Sequence, residues 1–305
     1  MITLKTIDAH AAGEPLRLIV DGFPSPQGRT MLDKREWVRA HSDHLRRALM
    51  LEPRGHADMY GCFVVAPDDD GADFGVLFWH KDGYSTACGH GTIALGRWAV
   101  DAGRVPGPEV TIDVPSGRVV ATVTGDAVAF RNVPAYVIAR DAPAGDVTVD
   151  VAYGGAIYAF VPAARFGLTI TPDDLPALIA AGRSVKAALA GSDVARHPAD
   201  DRLSGIYGTV LYENTPDGER NVTIFADGEV DRSPCGSATS ARTALLMPAG
   251  EWRNTSIVGT TFTARVVGET VEGVLTEVRG NAYKTGEHHF TLDPADPLGT
   301  GFVLR

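Results

Sequence analysis

Cys88-Gly-His-Gly-Thr92 and Cys235-Gly-Ser-Ala-Thr239 carry Cys, Gly and Thr at the same offsets. Each follows a strand-like segment and opens a helix-compatible one. After the first comes Gly91-Thr-Ile-Ala-Leu-Gly-Arg-Trp-Ala-Val-Asp-Ala-Gly103, an apolar-faced helix stopped by Gly103 and Pro106; the helix after Cys235 must stop before Pro248. We read this echo as one duplicated site with a copy in each of two domains. A cysteine at a helix start faces unpaired N–H groups and the positive end of the helix dipole. Both favour thiolate, so each thiol pKa is expected to fall from about 8.5 toward neutrality. Glycine at the next position lets a ligand approach the main chain closely. The free N–H groups of Gly89, His90, Gly236 and Ser237 then form an anion site for a substrate carboxylate.

Two such cysteines on opposite sides of one amino acid can invert its α-carbon. One, as thiolate, removes the α-proton, and the other, as thiol, returns a proton to the opposite face. Helix starts aimed at the carboxylate would stabilise the charge that develops there. Asp231, four residues before Cys235, is the candidate to hold the substrate ammonium. A cysteine without such context is more often a small buried hydrophobe, and Cys62, inside an apolar run, is read that way.

The chain has 305 residues, 44% hydrophobic and 22% charged, which fits a globular protein of two domains. The runs Gly61–Ala66 and Phe74–Trp79 fall well short of the ~20 residues that span a bilayer. Met1–Asp8 has no basic region followed by an apolar stretch, so a cytoplasmic location is the default. A net charge of −10 without a basic stripe argues against a nucleic-acid partner. Three scattered cysteines make neither a disulfide framework nor a zinc site. His288 and His289 are adjacent and would point apart in a strand, so they do not read as a metal pair.

The other elements are strand-rich. Strands are expected at Lys5–His10, Leu16–Val20, around Cys62, at Phe74–Trp79, Gly208–Tyr212, Asn221–Phe225, Thr261–Val267 and Leu275–Val278. Val110–Val114 and Arg118–Val123 flank Pro115-Ser-Gly117 as a hairpin. One helix is expected from Asp33 to Leu51, ended by Pro53. A second should start at Thr171, with Pro172 in its first turn and Asp174 completing a capping box, and run to about Gly191.

Gly83-Tyr-Ser-Thr-Ala-Cys-Gly-His-Gly-Thr92 and Phe225-Ala-Asp-Gly-Glu-Val-Asp-Arg-Ser-Pro-Cys-Gly236 closely resemble the two signature segments of the proline racemase family. Asp8–Pro15, Leu51–His56, Gly280–Gly286 and Asp293–Leu298 resemble it too, so the likeness spans nearly the whole chain. It implies an α+β fold of the diaminopimelate-epimerase type: two similar domains, each a sheet wrapped around a central helix, with the ligand cleft between them. The first domain would be residues 1–125 plus 286–305, carrying Cys88, and the second 126–285, carrying Cys235. By position, Cys88 and Cys235 match the two acid/base residues. Gly89-His90 and Gly236-Ser237 match the carboxylate turns, and Asp231 the acid at the substrate nitrogen. The resemblance implies a small imino-acid substrate and no pyridoxal phosphate, other cofactor or metal. Oligomeric state stays open, with a homodimer as one option.

Two departures stand out. Ala238 replaces a usual glycine and would crowd the turn if that position needs φ > 0. The stretch from Pro248 to Thr261 is shorter than is usual in the family. The reading is a two-base racemase or epimerase of proline or a hydroxyproline. The alternatives are a trans-3-hydroxy-L-proline dehydratase, which needs only one base, and a weakly catalytic homologue that binds an amino acid.

Overall fold

The computed structural model describes residues 1–304. Its first strands are β1 (Ile2–Ala11) and β2 (Glu14–Asp21), followed by helices α1 (Met31–His41) and α2 (Asp43–Met50). Then come β3 (Tyr60–Val65), β4 (Phe74–His80), the short β5 (Gly83–Tyr84) and helix α3 (Gly89–Asp101). β6 (Glu109–Val114), β7 (Gly117–Thr124) and β8 (Ala127–Arg131) follow as a meander. The next strands are β9 (Tyr136–Ala144), β10 (Val147–Tyr153) and β11 (Ile157–Pro162), then helix α4 (Leu175–Ala188). β12 (Ile206–Thr215), β13 (Gly218–Phe225) and β14 (Glu229–Asp231) precede helix α5 (Gly236–Leu246). β15 (Trp252–Ser256), β16 (Thr261–Glu269) and the long β17 (Val274–Leu292) complete the order.

The pairings run twice through the same sequence. β1 lies antiparallel to β2, β2 parallel to β3, β3 antiparallel to β4, and β4 parallel to β6. Equivalently, β10 lies antiparallel to β11, β11 parallel to β12, β12 antiparallel to β13, and β13 parallel to β15. Both sets close on β17. Its residues Glu277–Asn281 pair with β8 and Ala282–Leu292 with β1, closing the first circuit. Val274–Arg279 pair with β16, and a bridge from Val274 to Ala135, just before β9, closes the second. One strand is therefore shared by two closed circuits.

Each circuit is filled by one helix. α3 packs against β1, β2, β6, β7, β8 and β17, and α5 against β9, β10, β11, β16 and β17. Every α5 residue but the last is buried, so this helix has no solvent face. Its small residues, Gly236-Ser-Ala-Thr-Ser-Ala241, let it sit inside a ring of strands. The one charged member, Arg242, pairs with buried Glu219 at 2.6 Å and lies 4.0 Å over the Tyr212 ring. In α3 the same close fit falls on Gly96, where a methyl group would come within 2.8 Å of the Ala121 side chain.

Several expectations need correction. The helix expected over Asp33–Leu51 is two helices broken at Ser42, whose φ of −134° and ψ of 13° leave the helical region. Its true start is a capping box between Thr30 and Asp33. Thr171 makes no side-chain cap. Asp174 instead accepts from the Thr169 N–H (3.0 Å) and hydroxyl (2.7 Å), and Pro172–Asp174 forms a 3-10 turn ahead of α4. The strand expected at Leu275–Val278 is only the start of β17, and β5, β8 to β11, β14 and β15 have no counterpart among the expected strands. Ala238 lies within α5 and is not among the residues with positive φ, so its methyl group does not strain the turn. The segment after Pro248 suffices to form β15, which pairs with both β13 and β16.

Candidate active site

The two circuits place the starts of α3 and α5 against each other. A methyl group built on Gly89 would lie 2.4 Å from Gly236 Cα and 2.6 Å from Ser237 N. One built on Gly236 would lie 2.8 Å from Gly89 Cα. Glycine at these positions is therefore what allows main chain to meet main chain. Each helix start contributes a cysteine to one small, tightly closed cavity, lined also by His90, Asp231 and Ser237.

The two cysteines are held differently. Cys88 caps α3 in an extended conformation, and its Sγ accepts from the Gly91 N–H at 3.2 Å. The Thr92 hydroxyl donates back to the Cys88 carbonyl at 2.7 Å. Cys235 takes φ of 60°, a left-handed conformation that costs of order 1–3 kcal/mol outside glycine. The surrounding loop holds it there. The Cys235 N–H donates to Ser233 Oγ (3.0 Å), while Asn221 and Thr239 each donate to the Pro234 carbonyl at 3.0 Å. The threonine shared by both motifs thus anchors its cysteine segment in each case.

The thiols do not follow the sequence expectation. Burial pushes both pKa values well above the ordinary cysteine range, against the lowering effect of the backbone donors at Gly91 and Ala238. Desolvation outweighs the helix starts, so both sulfurs rest as thiols in the ligand-free protein. The His90 ring is buried too, 3.3 Å (Nδ1) and 3.6 Å (Nε2) from Cys88 Sγ. Burial and the nearby Arg232 lower its pKa to about 3, so it is neutral at physiological pH.

This shift has a sign that can be checked. In the unfolded chain the imidazole takes a proton near pH 6.5, whereas the folded ring stays neutral until about 3. The folded protein therefore loses stability as pH falls below 6.5. We expect the stability difference between wild type and His90→Asn to narrow by about 1.4 kcal/mol per pH unit from about pH 6.5 to pH 4. Parallel urea titrations would measure it, and a pH-independent difference would refute a neutral buried ring.

Asp231, at the end of β14, is buried, and its Oδ1 accepts from the Ser233 N–H (2.8 Å) and hydroxyl (2.7 Å). Burial raises its pKa. Beside it stands Glu14, which the sequence reading did not single out. Glu14 Oε2 accepts from the Arg232 N–H (2.8 Å) and pairs with its guanidinium (3.0 Å), whereas Oε1 is buried without a partner. Burial, reinforced by Asp231, drives the Glu14 pKa well above its usual value. Arg232 pairs with Glu14 and Asp58, not with Asp231. Two carboxyl groups therefore face one cavity, and one oxygen has no donor.

Aromatic rings supply the remaining walls. Tyr60, Tyr158, Tyr207 and Phe225 line the cavity. The Tyr158 hydroxyl hydrogen-bonds Ser237 Oγ at 2.6 Å and lies 3.8 Å from Cys235 Sγ. Tyr60 hydrogen-bonds both Ser85 and Tyr207, the latter at 3.1 Å. Tyr207 also lines a wider polar cleft flanked by Arg46 and His80 from one circuit and by Lys186 and Arg202 from the other.

The proline racemase family model matches residues 6–303. This chain belongs to the proline racemase family. It is an enzyme of that family, with relatives named for two activities. It is 43% identical to a trans-3-hydroxy-L-proline dehydratase of Bacillus thuringiensis subsp. konkukian, over 98% of this chain and 97% of the relative. It is also 43% identical to a 3-hydroxyproline 2-epimerase of Burkholderia multivorans, over 99% of this chain and 98% of that protein. Among solved structures it resembles a hydroxyproline epimerase from Agrobacterium vitis with bound trans-4-hydroxy-L-proline. That likeness has a TM-score of 0.90 at 30% identity and covers 100% of this chain and 95% of the other. The mixed sheet with few helices is thus the fold of this racemase and epimerase family. Among the described residues, no helix is long and apolar enough to cross a membrane.

Proposed function

We propose that this member of the proline racemase family is a cofactor-independent, two-base 2-epimerase of a hydroxylated proline, with Cys88 and Cys235 as the bases. The observation that carries this reading is the abutment of two cysteine-capped helix starts at Gly89 and Gly236, with both thiols on one cavity. The substrate carboxylate lies across the first turns, accepting from the N–H groups of Gly89, His90, Gly236 and Ser237. Its secondary ammonium, with two N–H bonds, meets Asp231 and the unpartnered Glu14 Oε1.

One cysteine must first become a thiolate, its proton passing to solvent as the substrate enters. The substrate is itself the agent of that change, because a cation between buried groups favours their charged forms. The thiolate then takes the α-proton, and the C–H electron pair delocalises into the carboxylate, where the helix starts stabilise it. The second thiol protonates the opposite face, and the two sulfurs exchange roles. The neutral His90 ring packs on Cys88 and holds it in position.

A 3-hydroxyl group offers a second fate. The same α-carbanion can expel it as water, giving an enamine that tautomerises to a pyrroline carboxylate. The dehydratases among the relatives favour this as the second reading. Incubation with trans-3-hydroxy-L-proline, trans-4-hydroxy-L-proline and L-proline in deuterated water separates the two. We expect α-deuterium incorporation with inversion, fastest on the 3-hydroxy substrate. Water loss without inversion of any substrate would make the chain a dehydratase, and no turnover of any would make it a binding protein.

The reading extends to architecture. We propose the diaminopimelate-epimerase-type arrangement of two domains, residues 1–125 with 286–305 and residues 126–285, with the substrate between them. A cytoplasmic location goes with it, since a reducing compartment keeps two free thiols from oxidising.

A further inference from the structure

Outside the cavity, among the described residues, the buried acid Glu229 finds no hydrogen-bond donor for either oxygen and has His80 and Asp82 as its polar neighbours. It is the first residue of β14 and is fully buried. A buried carboxylate without compensation is costly, so its surroundings are informative. His80, at the end of β4, brings Nδ1 to 3.4 Å from Glu229 Oε1; this nitrogen accepts from the Asp82 N–H at 3.2 Å, a bond that an ion would have to replace. Asp82, in the turn between β4 and β5, brings a carboxylate from the side of the wide cleft. One ligand atom from each of the three residues lies within 4.8 Å of the other two.

We propose that His80, Asp82 and Glu229 bind one divalent transition-metal ion. A nitrogen with two carboxylate oxygens suits Mn²⁺ or Zn²⁺ better than Mg²⁺ or Ca²⁺, which prefer all-oxygen shells. Metal–ligand bonds of about 2.0–2.2 Å require these atoms to draw together by small side-chain rotations. Arg46, which donates to the His80 carbonyl at 2.8 Å, and two lysines set the opposing charge. Lys186 already donates to the carbonyls of Tyr207 (3.1 Å) and Ala226 (2.7 Å). Lys81, 3.9 Å from Asp82 Oδ2, must swing aside.

The position gives the ion a purpose. His80 and Asp82 belong to the first circuit and Glu229 to the second, and the Asp227 N–H already donates to Asp82 Oδ2 at 3.0 Å. A shared ion would latch the two across the wall of the cleft. Glu229 and Asp231 lie two residues apart on one strand, so the latch would also fix the strand that carries Asp231. The His80 ring packs within 6.0 Å of Tyr60, Tyr207 and Phe225, which wall the cavity. This site departs from the expectation of no metal, and it lies outside the reacting centre.

Mn²⁺ binding tests the proposal without reference to turnover, so its failure is separate from any failure of the epimerase reading. Free Mn²⁺ would be counted by electron paramagnetic resonance in chelator-treated wild-type protein. The same titration in the Cys88→Ser/Cys235→Ser variant excludes ions held by thiols. We expect one Mn²⁺ per chain in both, displaced by Zn²⁺, and at least about tenfold weaker binding in Glu229→Gln and in the more exposed Asp82→Asn. No binding at about 1 mM Mn²⁺, or binding unchanged by both substitutions, would overturn it.

Discussion

Replacing either cysteine with serine abolishes inversion while sparing substrate binding: we expect Cys88→Ser and Cys235→Ser each to lose at least about 10³-fold in epimerisation rate. Serine is nearly isosteric, so the cavity walls and the abutting helix starts stay in place. What it lacks is an acidic proton, because a buried hydroxyl cannot serve as the thiolate base. The stereochemical readout goes beyond loss of activity. Each sulfur faces one side of the α-carbon, so only one of the two variants should still exchange the α-proton of the L-substrate for deuterium. The other should exchange only the D-substrate. Proton NMR in deuterated water with each enantiomer reads this directly. If one variant retains both exchange and inversion, the chain is not a two-base enzyme. If Cys235→Ser keeps full water loss from the 3-hydroxy substrate, elimination runs on Cys88 alone.

The second large effect comes from a residue with no chemistry of its own. Gly89→Ala places a methyl group 2.4 Å from Gly236 Cα and 2.6 Å from the Gly236 carbonyl carbon. Both are main-chain atoms inside closed circuits, so the clash is relieved only by moving a helix start. We expect a loss of about 1–3 kcal/mol in stability from overpacking. The loss in kcat/KM should be at least about 100-fold, because a shift of about 1 Å in a reacting group has that cost. Gly107→Ala is the control, since a methyl group there meets nothing within 4 Å. Urea denaturation and initial rates on the three variants, wild type included, would show the contrast. A Gly89→Ala enzyme with normal kcat/KM would mean that the helix starts do not hold the substrate.

The parts of this site that were legible in the sequence are those written in contiguous residues. Cys88-Gly and Cys235-Gly announce a cap followed by an approachable main chain, and each pair is the cap and first residue of the helix that fills its circuit. Glu14 was not legible, although Gly13-Glu14-Pro15 lay in plain view. Its meaning depends on Arg232 and Asp231, more than two hundred residues later, and only folding brings them together. Tyr60, Tyr158 and Tyr207 come from three separate strands, with no spacing to link them. The local sequence points the thiol shifts the wrong way for a related reason. A helix dipole can be inferred from a local pattern, but the desolvation that overrules it is set by distant elements. In the fold, the strand expected at Leu275–Val278 covers only the start of β17. Its far end is mostly exposed, so no apolar alternation marks it. The break between α1 and α2 carries neither glycine nor proline, and Ser42 gives no signal that sets it apart from a mid-helix serine.

The shared strand also limits how this chain can be divided. β17 is the last stave of two barrels, and each lacks closure without it. A gene fragment ending before Val274 would encode one barrel opened along β1 and β8 and another opened along β16. Each gap would leave rows of unpaired N–H and C=O groups of the kind that recruit foreign strands. The heritable unit is therefore the whole polypeptide, and any repeat still visible in its strand order can no longer be cut back to a single functioning copy. A nascent chain reaches the same point late: until Val274–Leu292 have left the ribosome, neither barrel can shut, and both cysteines wait on one strand.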